Sequence, residues 1–304
     1  MTINDIRSHG KRWRSWAWPW ELRRHGALGI NERNLNYQFP LNARAFYRRV
    51  DDKEETKKIC TREQIPVPEL IAVVSRYGDI RKVLHYLQNK TDFVIKPASG
   101  AGGRGILVIV GRSDTYFRTA KGDTLSREEI RYHTSAILSG LYSLAGHPDR
   151  AIIEQRIIPH SLFEDLTVIG TPDIRIILFQ FQPVMAMLRL PTEASQGRAN
   201  LHQGAVAVGI DLNVGITFGG VYRDRYITMH PDTGKSMANI QIPEWEKVLE
   251  ISVRLSRALE MGYLGVDIVL DENIGPVVLE SNARPGLAIQ LANRCGLKKR
   301  LNST

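Results

Sequence analysis

Two short apolar runs near the end of the chain, each carrying one acid, constrain the fold more than any other feature. They are Gly265-Val266-Asp267-Ile268-Val269-Leu270 and Val277-Val278-Leu279-Glu280-Ser281-Asn282, and they read as a hairpin with strands at 264–270 and 276–281. Alternation puts Asp267 and Val269 on one face of the first strand, and Glu280 and Asn282 on one face of the second. A four-residue loop, Glu272 to Gly275, pairs 270 with 277 and 267 with 280. Asp267 then lies opposite Glu280, and two carboxylates at a cross-strand position repel unless a cation sits between them. Oxygen ligands at this spacing suit magnesium, which keeps waters and binds through a few carboxylates plus substrate phosphates. The plainer reading, one carboxylate solvated at a strand end, sits poorly with the apolar neighbours of each acid.

A second feature is Lys96-Pro97-Ala98-Ser99-Gly100-Ala101-Gly102-Gly103-Arg104-Gly105, between strands expected at 92–97 and 106–110. Its glycines let backbone N–H groups turn inward and approach phosphate oxygens. Lys96 can place a point charge on those phosphates. The run is not a Walker A loop, because the lysine precedes the glycines. It is not a dinucleotide fingerprint, because a strand follows it rather than a helix. On its own such a hairpin is equally a flexible turn.

Two further groups are weaker. Asp173-Ile174-Arg175 opens a strand expected at 173–181, with Arg189 near the end of the next, at 184–190. Asp173 and Arg175 share a face, whereas the face of Arg189 depends on the turn near Gln182-Pro183; a simple cross-strand ion pair is the bland alternative. The polar loop Gln196 to Gly204 contains Arg198, Asn200 and His202, and its composition also fits an ordinary surface loop. Helices are expected at 51–65, at 78–90, at 126–145 with Ser126 and Glu129 as a capping box, and at 243–261. Further strands are expected at 69–75, 151–158 and 205–210.

Length and charge set the frame. The 304 residues, 43% of them hydrophobic, suffice for two or three subdomains around one cleft. No apolar run approaches the roughly 20 residues that span a bilayer, and no secretory pattern is visible. Cys60 and Cys295 lack metal-type spacing, so a reduced cytoplasm is the simple expectation. The net charge is +9, but residues 1–50 hold ten Lys/Arg against three Asp/Glu, so the remainder is nearly neutral and nucleic acid is not an expected partner. Trp13, Trp16, Trp18 and Trp20 share that basic stretch, in which a short helix broken at Pro19 is expected. The favoured reading is that these Trp side chains bury against the body while the arginines stay solvated; contact with a membrane surface or a partner is the alternative.

Taken in order, the motifs resemble the ATP-grasp superfamily, and within it the RimK-type α-L-glutamate ligase-like proteins with a sugar-transfer-associated ATP-grasp domain. The resemblance covers about residues 28–297. It rests on Asp52-Lys53 with Thr56-Lys57, Ile95-Lys96-Pro97 to Gly105, Glu154-Gln155-Arg156-Ile157, Asp173-Ile174-Arg175, Asn200-Leu201-His202-Gln203-Gly204, Gly265-Val266-Asp267 and Glu280-Ser281-Asn282-Ala283-Arg284-Pro285-Gly286. It implies an α/β (α+β) ATP-grasp fold, with two subdomains, 51–150 and 151–304, clasping ATP, and a basic Trp-rich arm at 1–50 where relatives usually carry a fuller domain. It implies an ADP-forming, ATP-dependent carboxylate–amine ligase working through an acyl-phosphate, with glutamate or another amino acid added to an acceptor. An ATP-grasp kinase, a carboxylate–thiol ligase and a non-catalytic ATP-binding scaffold acting through the arm are the alternatives.

Position by position, the resemblance gives Lys53 and Lys96 contacts to ATP and closes the loop with Ser99, Gly100, Gly102 and Gly103 over the triphosphate. It places Gln155, Arg156 and Ile157 at the adenine, Asp173 near the nucleoside, and Arg198 and Asn200 in a nucleotide-binding loop. Asp267, Glu280 and Asn282 would hold one or two Mg²⁺, with Mn²⁺ able to substitute, and Lys96, Arg189 and Arg284 would act on the transferring group. Two positions depart from the usual pattern: Gln155 stands where Glu is frequent, and Ala199 where Ser is frequent. The resemblance implies an amino acid, peptide or protein as the amine acceptor. A homo-oligomer, and membrane or protein contact through residues 1–30 at the inner face of the membrane, stay open.

Overall fold

The computed structural model describes residues 18–100, 102–143 and 146–301. They form two antiparallel sheets. The smaller sheet contains β1 (Leu70–Val74), β2 (Phe93–Pro97), β3 (Leu107–Arg112), β4 (Tyr116–Thr119), β5 (Thr124–Ser126) and β6 (Ala151–Glu154), in the order β1-β6-β2-β3-β4-β5. The helix Arg127–Leu138 packs Ile130 and Ile137 against Phe93, Ile95 and Ile109 of this sheet. Its capping box is the expected one: the Ser126 hydroxyl accepts from the Glu129 amide, and the Glu129 carboxylate accepts from the Ser126 amide. It stops at Leu138 rather than at 145 because the chain turns at Gly140 (φ +84°), where a Cβ would lie 2.4 Å from the His147 carbonyl oxygen.

The larger sheet contains β7 (Asp173–Phe179), β8 (Gln182–Leu190), β9 (Val206–Ile210), β10 (Ile216–Tyr222), β11 (Arg225–Ile227), β12 (Ala238–Gln241), β13 (Tyr263–Asp271) and β14 (Gly275–Asn282). Its order is β11-β10-β9-β8-β7-β13-β14, with β12 on β10. Ile174, Ile176, Leu188, Leu264, Val266 and Ile268 face the helix Trp245–Leu259 and bury Val248, Ile251, Leu255 and Leu259. The opposite face buries Ile177, Met185, Met187 and Tyr263 under Leu28, Ile289, Leu297 and Leu301. Strand alternation thus leaves Asp173, Arg175, Arg189 and Asp267 on the face away from the long helix.

Several local expectations change. The β7–β8 turn lies at Gln180-Phe181, both with positive φ, which tightens the hairpin ahead of Pro183. The helix expected at 51–65 runs only over Lys53–Arg62, because Asp52 is extended and its carboxylate accepts from the Glu54 and Glu55 amides. Residues 78–90 hold a 3-10 turn, Tyr77–Lys82, and one short helix, Val83–Tyr86. The short strands β4, β5, β10, β11 and β12 were not anticipated. Pro19 starts the helix Pro19–Arg24 instead of breaking one, since its missing N–H costs nothing at the first turn. That helix buries none of its residues, so Trp18 and Trp20 are not packed on the body. They stack on each other at 4.8 Å and are 42% and 53% exposed. Trp13 and Trp16 lie outside the described residues. Among the described residues no helix is long and apolar enough to cross a membrane.

Candidate active site

Asp267 pairs with Glu280, as the alternation requires, but beyond that point the register slips by one: Ile268 pairs with Val278 and Leu270 with Pro276, not with Val277. Leu279 is the extra residue, a β-bulge. The hairpin loop has three residues rather than four. Gly275 (φ +82°) already pairs with Asp271, whose Oδ1 accepts from the Asn273 and Ile274 amides at 2.9 and 3.0 Å.

The two carboxylates are not left to repel each other. Asp267 is buried and accepts two hydrogen bonds from Arg175, Nε to Oδ1 at 2.7 Å and Nη2 to Oδ2 at 2.6 Å. Arg189 Nη2 lies 2.8 Å from the same Oδ2, and Asn282 Nδ2 donates to it at 3.2 Å. Arg189 also binds Asp173, Nη2 to Oδ2 at 2.6 Å, which settles its strand register. The charge expected from a metal between the strands is therefore met, at Asp267, by guanidinium groups from β7 and β8. Burial works against the Asp267 carboxylate, but Arg175 and Arg189 outweigh it and hold it down at about 2. Burial pushes Asp173 up to about 6, against the pull of Arg189 and with the help of the Asp267 charge.

The same residues can still take a divalent cation. Four acceptor sites belong to a carboxylate, and among the described residues Oδ1 of Asp267 meets only Arg175 Nε. Glu280, with its side chain 38% exposed, has only Lys53, at 3.7 Å, as an ion-pair partner among the described residues. The donor set of two carboxylates and an amide oxygen is all oxygen, as Mg²⁺ prefers.

The glycine run is anchored at both ends. Ser99 N and Ser143 Oγ both donate to Asp149 Oδ2 at 3.0 Å, and Gly100 bridges to Ser143. Lys53 Nζ donates to the Gly100 carbonyl at 2.8 Å. At the far end Gly105 (φ +74°) packs so closely on Tyr142 that a Cβ would come within 2.5 Å of its ring. The Gly105 carbonyl sits 3.0 Å from His133 Nε2. Burial holds the His133 pKa down despite that hydrogen bond, so the ring is neutral and Nε2–H is the donor. Between the anchors, Gly102 and Gly103 have positive φ and lie against Gln203 and Arg198 of the loop preceding β9.

Lys96 leaves β2 beside this run and is buried in an ion pair with Glu154 at the end of β6. Lys57 Nζ reaches the other oxygen of Glu154 at 2.8 Å and donates to the Pro68 carbonyl at 2.7 Å. Burial opposes the Glu154 charge, but Lys96 and Lys57 outweigh it and hold its pKa down. Burial lowers the Lys57 pKa against the pull of Glu154. Two ammonium groups on one carboxylate leave a surplus positive charge, which suits an anionic ligand. Lys53, Lys57, Lys96 and Glu280 line one crevice.

A family model described as sugar-transfer associated ATP-grasp matches residues 32–304. The chain belongs to the sugar-transfer associated ATP-grasp family. A comparison with curated proteins finds no match. Among solved structures, the ATP-grasp ligase PsnB complexed with minimal precursor aligns with a TM-score of 0.46 at 13% identity, over 86% of this chain and 62% of that one. A RimK domain ATP-grasp protein from Sphaerobacter thermophilus DSM 20745 aligns at 0.47 and 14% identity, over 85% and 69%. D-alanine–D-alanine ligase from Bacillus anthracis aligns at 0.44 and 18% identity, over 84% and 62%. The chain thus spans less than two thirds of the PsnB and D-alanine–D-alanine ligase chains.

In this sugar-transfer associated ATP-grasp chain the other residues singled out in the sequence have structural partners of their own. Gln155 Oε1 accepts from the Glu69 amide at 3.3 Å, and Arg156 Nε donates to Asp92 Oδ2 at 2.9 Å, so both side chains point back to the small sheet. Ile157 follows them, half-buried, in the strap to the large sheet. Asn200 Oδ1 caps the turn Leu201–Gln203 by accepting from the His202 amide. Arg284 is exposed and stacks over Tyr47 at 4.9 Å, whereas Arg189 is buried among acids. Arg175, Glu154 and Lys57 stood in the sequence motifs without a role of their own, and Asp149 and His133 were not singled out. Arg175 was readable by alternation with Asp173, and Lys57 by its position one helical turn after Lys53. Asp149 and His133 gave no local signal.

Proposed function

We propose that this protein is an ADP-forming, ATP-dependent carboxylate–amine ligase. The observation that carries the reading is the place of Lys53, whose Nζ is 2.8 Å from the Gly100 carbonyl and 3.7 Å from Glu280. One side chain thereby joins the glycine run, as the phosphate cradle, to the acid pair, as the metal site. In the same reading residues 51–150 and 151–304 are the two clasping subdomains and 1–50 the arm.

Asp267, Glu280 and Asn282 would hold Mg²⁺, which neutralises charge on the ATP phosphates when bound. The chain's own groups do the rest. Amides of the 99–105 loop and the Lys96 ammonium, fixed by Glu154, hold the phosphates. A substrate carboxylate oxygen bonds to the γ-phosphorus as the bond to ADP breaks. An amine nitrogen then attacks the acyl carbon, the bond to the phosphate oxygen breaks, phosphate leaves with the electron pair, and the nitrogen's proton passes to the leaving phosphate. The loop, tied by Asp149 and His133, keeps water from the acyl-phosphate. Arg189 and Arg175 fix the Asp267 carboxylate on the same face of the sheet.

The test is ADP release over a panel of amino acids and acceptor peptides, with mass spectrometry of the product. Asp267→Ala, Glu280→Ala and Lys96→Ala are each expected to abolish release, and wild-type turnover in all three overturns the reading. An amide product supports it; a thioester or phosphoester assigns the fold to the thiol-ligase or kinase chemistry instead.

A further inference from the structure

We propose that a cleft beside the glycine run is the acceptor subsite, and that it takes an α-amino acid with an apolar rather than an acidic side chain. This rests on the ligase reading and names its substrate class. The cleft measures about 500 Å³, within the roughly 300–1,000 Å³ of small-molecule sites. It lies between the loop ahead of β9, the β10–β11 turn and the segment from Ala288 to Leu291.

Three observations define its ligand. Gln203 lines the cleft, and its Oε1 is buried without a hydrogen-bond donor among the described residues. Its Nε2 lies 3.7 Å from where a Gly102 Cβ would stand, so this amide connects the cleft to the phosphate loop. A buried acceptor without a donor is unfavourable, and a ligand N–H relieves it. Second, the turn presents Arg223, with φ +53° and its guanidinium 5.1 Å over the Tyr222 ring, next to Asp224. Both are exposed, both line the cleft, and neither forms an ion pair among the described residues. Third, Leu201, Ala288 and Leu291 supply apolar wall, with Leu291 57% exposed.

These groups fit one zwitterion. Arg223 takes the carboxylate through charge-assisted hydrogen bonds. Gln203 Oε1 accepts from the ammonium group, which places the nitrogen, a nucleophile once it has lost a proton to water, at the end nearest the glycine run. The side chain covers Leu201 and Leu291. Asp224 disfavours a second carboxylate, so glutamate is the poorer acceptor.

The experiment is calorimetric titration of L-leucine, L-valine and L-glutamate into the full chain, saturated with a non-hydrolysable ATP analogue and Mg²⁺. L-leucine or L-valine is expected to bind at least about tenfold more tightly than L-glutamate, a difference one charge contact can supply. Arg223→Asn, chosen because Asn tolerates positive φ, should weaken that binding about tenfold or more, and Asp224→Ala should narrow the gap to L-glutamate. Affinity for the analogue should stay unchanged in both variants. Analogue binding with no amino-acid binding, with a preference for L-glutamate, or with Arg223→Asn indistinguishable from wild type overturns the subsite alone. Failure of the wild type to bind the analogue overturns the ligase reading, and the acceptor role with it.

Discussion

Val278 and Glu280 face opposite sides of the large sheet although a single residue separates them. Val278 pairs with Ile268 in the core under the long helix, whereas Glu280 pairs with Asp267 on the other face. In a regular strand, residues two apart share a face, so the inserted Leu279 is what lets one strand close the core and then serve the site. Deleting Leu279 would only straighten the ladder and leave Glu280 opposite Asp267, whereas inserting one alanine after Leu279 should move Glu280 opposite Val266, on the core face. The expected loss for the insertion is roughly 3 kcal/mol or more, the scale of an uncompensated buried charge, read from urea unfolding.

Asp267→Asn should destabilise the protein at neutral pH by about 3–5 kcal/mol, because Arg175 and Arg189 would keep their burial and lose half of their compensation. The pH profile carries the signature. Asp267 falls from 3.8 to about 2 on folding, so between those values the unfolded chain binds more protons and stability is lost as the pH drops. Asp173 rises from 3.8 to about 6, so its contribution has the opposite sign: stability falls as the pH rises through that window. Asp267→Asn should erase the first slope and shrink the second, since the Asp267 charge helps to raise Asp173. Urea midpoints measured across the acid range decide this.

Glu154→Gln should weaken binding of the ATP analogue and the fold together, because Lys57 and Lys96 would face each other with no carboxylate between them. Adding Lys57→Met should recover much of the stability, a coupling of roughly 1–3 kcal/mol in a double-mutant cycle. Equal losses in the single and double variants would show that the two lysines do not share the carboxylate.

His133 should make the glycine run sensitive to mild acid. Burial lowers its pKa below 6.5, so protonation favours the unfolded chain: its contribution is complete above pH 6.5 and is lost as the pH falls through the lower folded value. His133→Gln keeps a donor for Gly105 and should flatten the melting temperature between about pH 5 and 7. An unchanged slope in the variant would assign that sensitivity to another group.

The hairpin and its 267–280 register were legible because two apolar runs with one acid each leave few alternatives. The bulge was not, since an extra residue inside an apolar strand leaves no mark in the hydrophobic pattern. The guanidinium partners of Asp267 were not legible for a related reason. Arg175 becomes its neighbour only through pairing of β7 with β13, across 92 positions of chain. The Ser126–Glu129 cap is a local interaction and was readable. Burial of Trp18 and Trp20 depended on what a six-residue helix packs against, which composition does not encode. Glu154 stood at the end of an apolar strand, but its two lysines come from separate elements.

The strap between the sheets ends on the β13–β14 hairpin itself. Gln155 is fastened to Glu69 at one end. At the other, the Ile158 amide donates to Asp271 Oδ2 at 2.8 Å, and Pro159 bridges to Asp271. Asp271 in turn holds the hairpin loop, four residues beyond Asp267. In mechanical terms the pivot and the load share one bearing. The carboxylate that ties the strap from the smaller sheet also shapes the loop of the hairpin that carries Asp267, so a change at Asp271 reaches both.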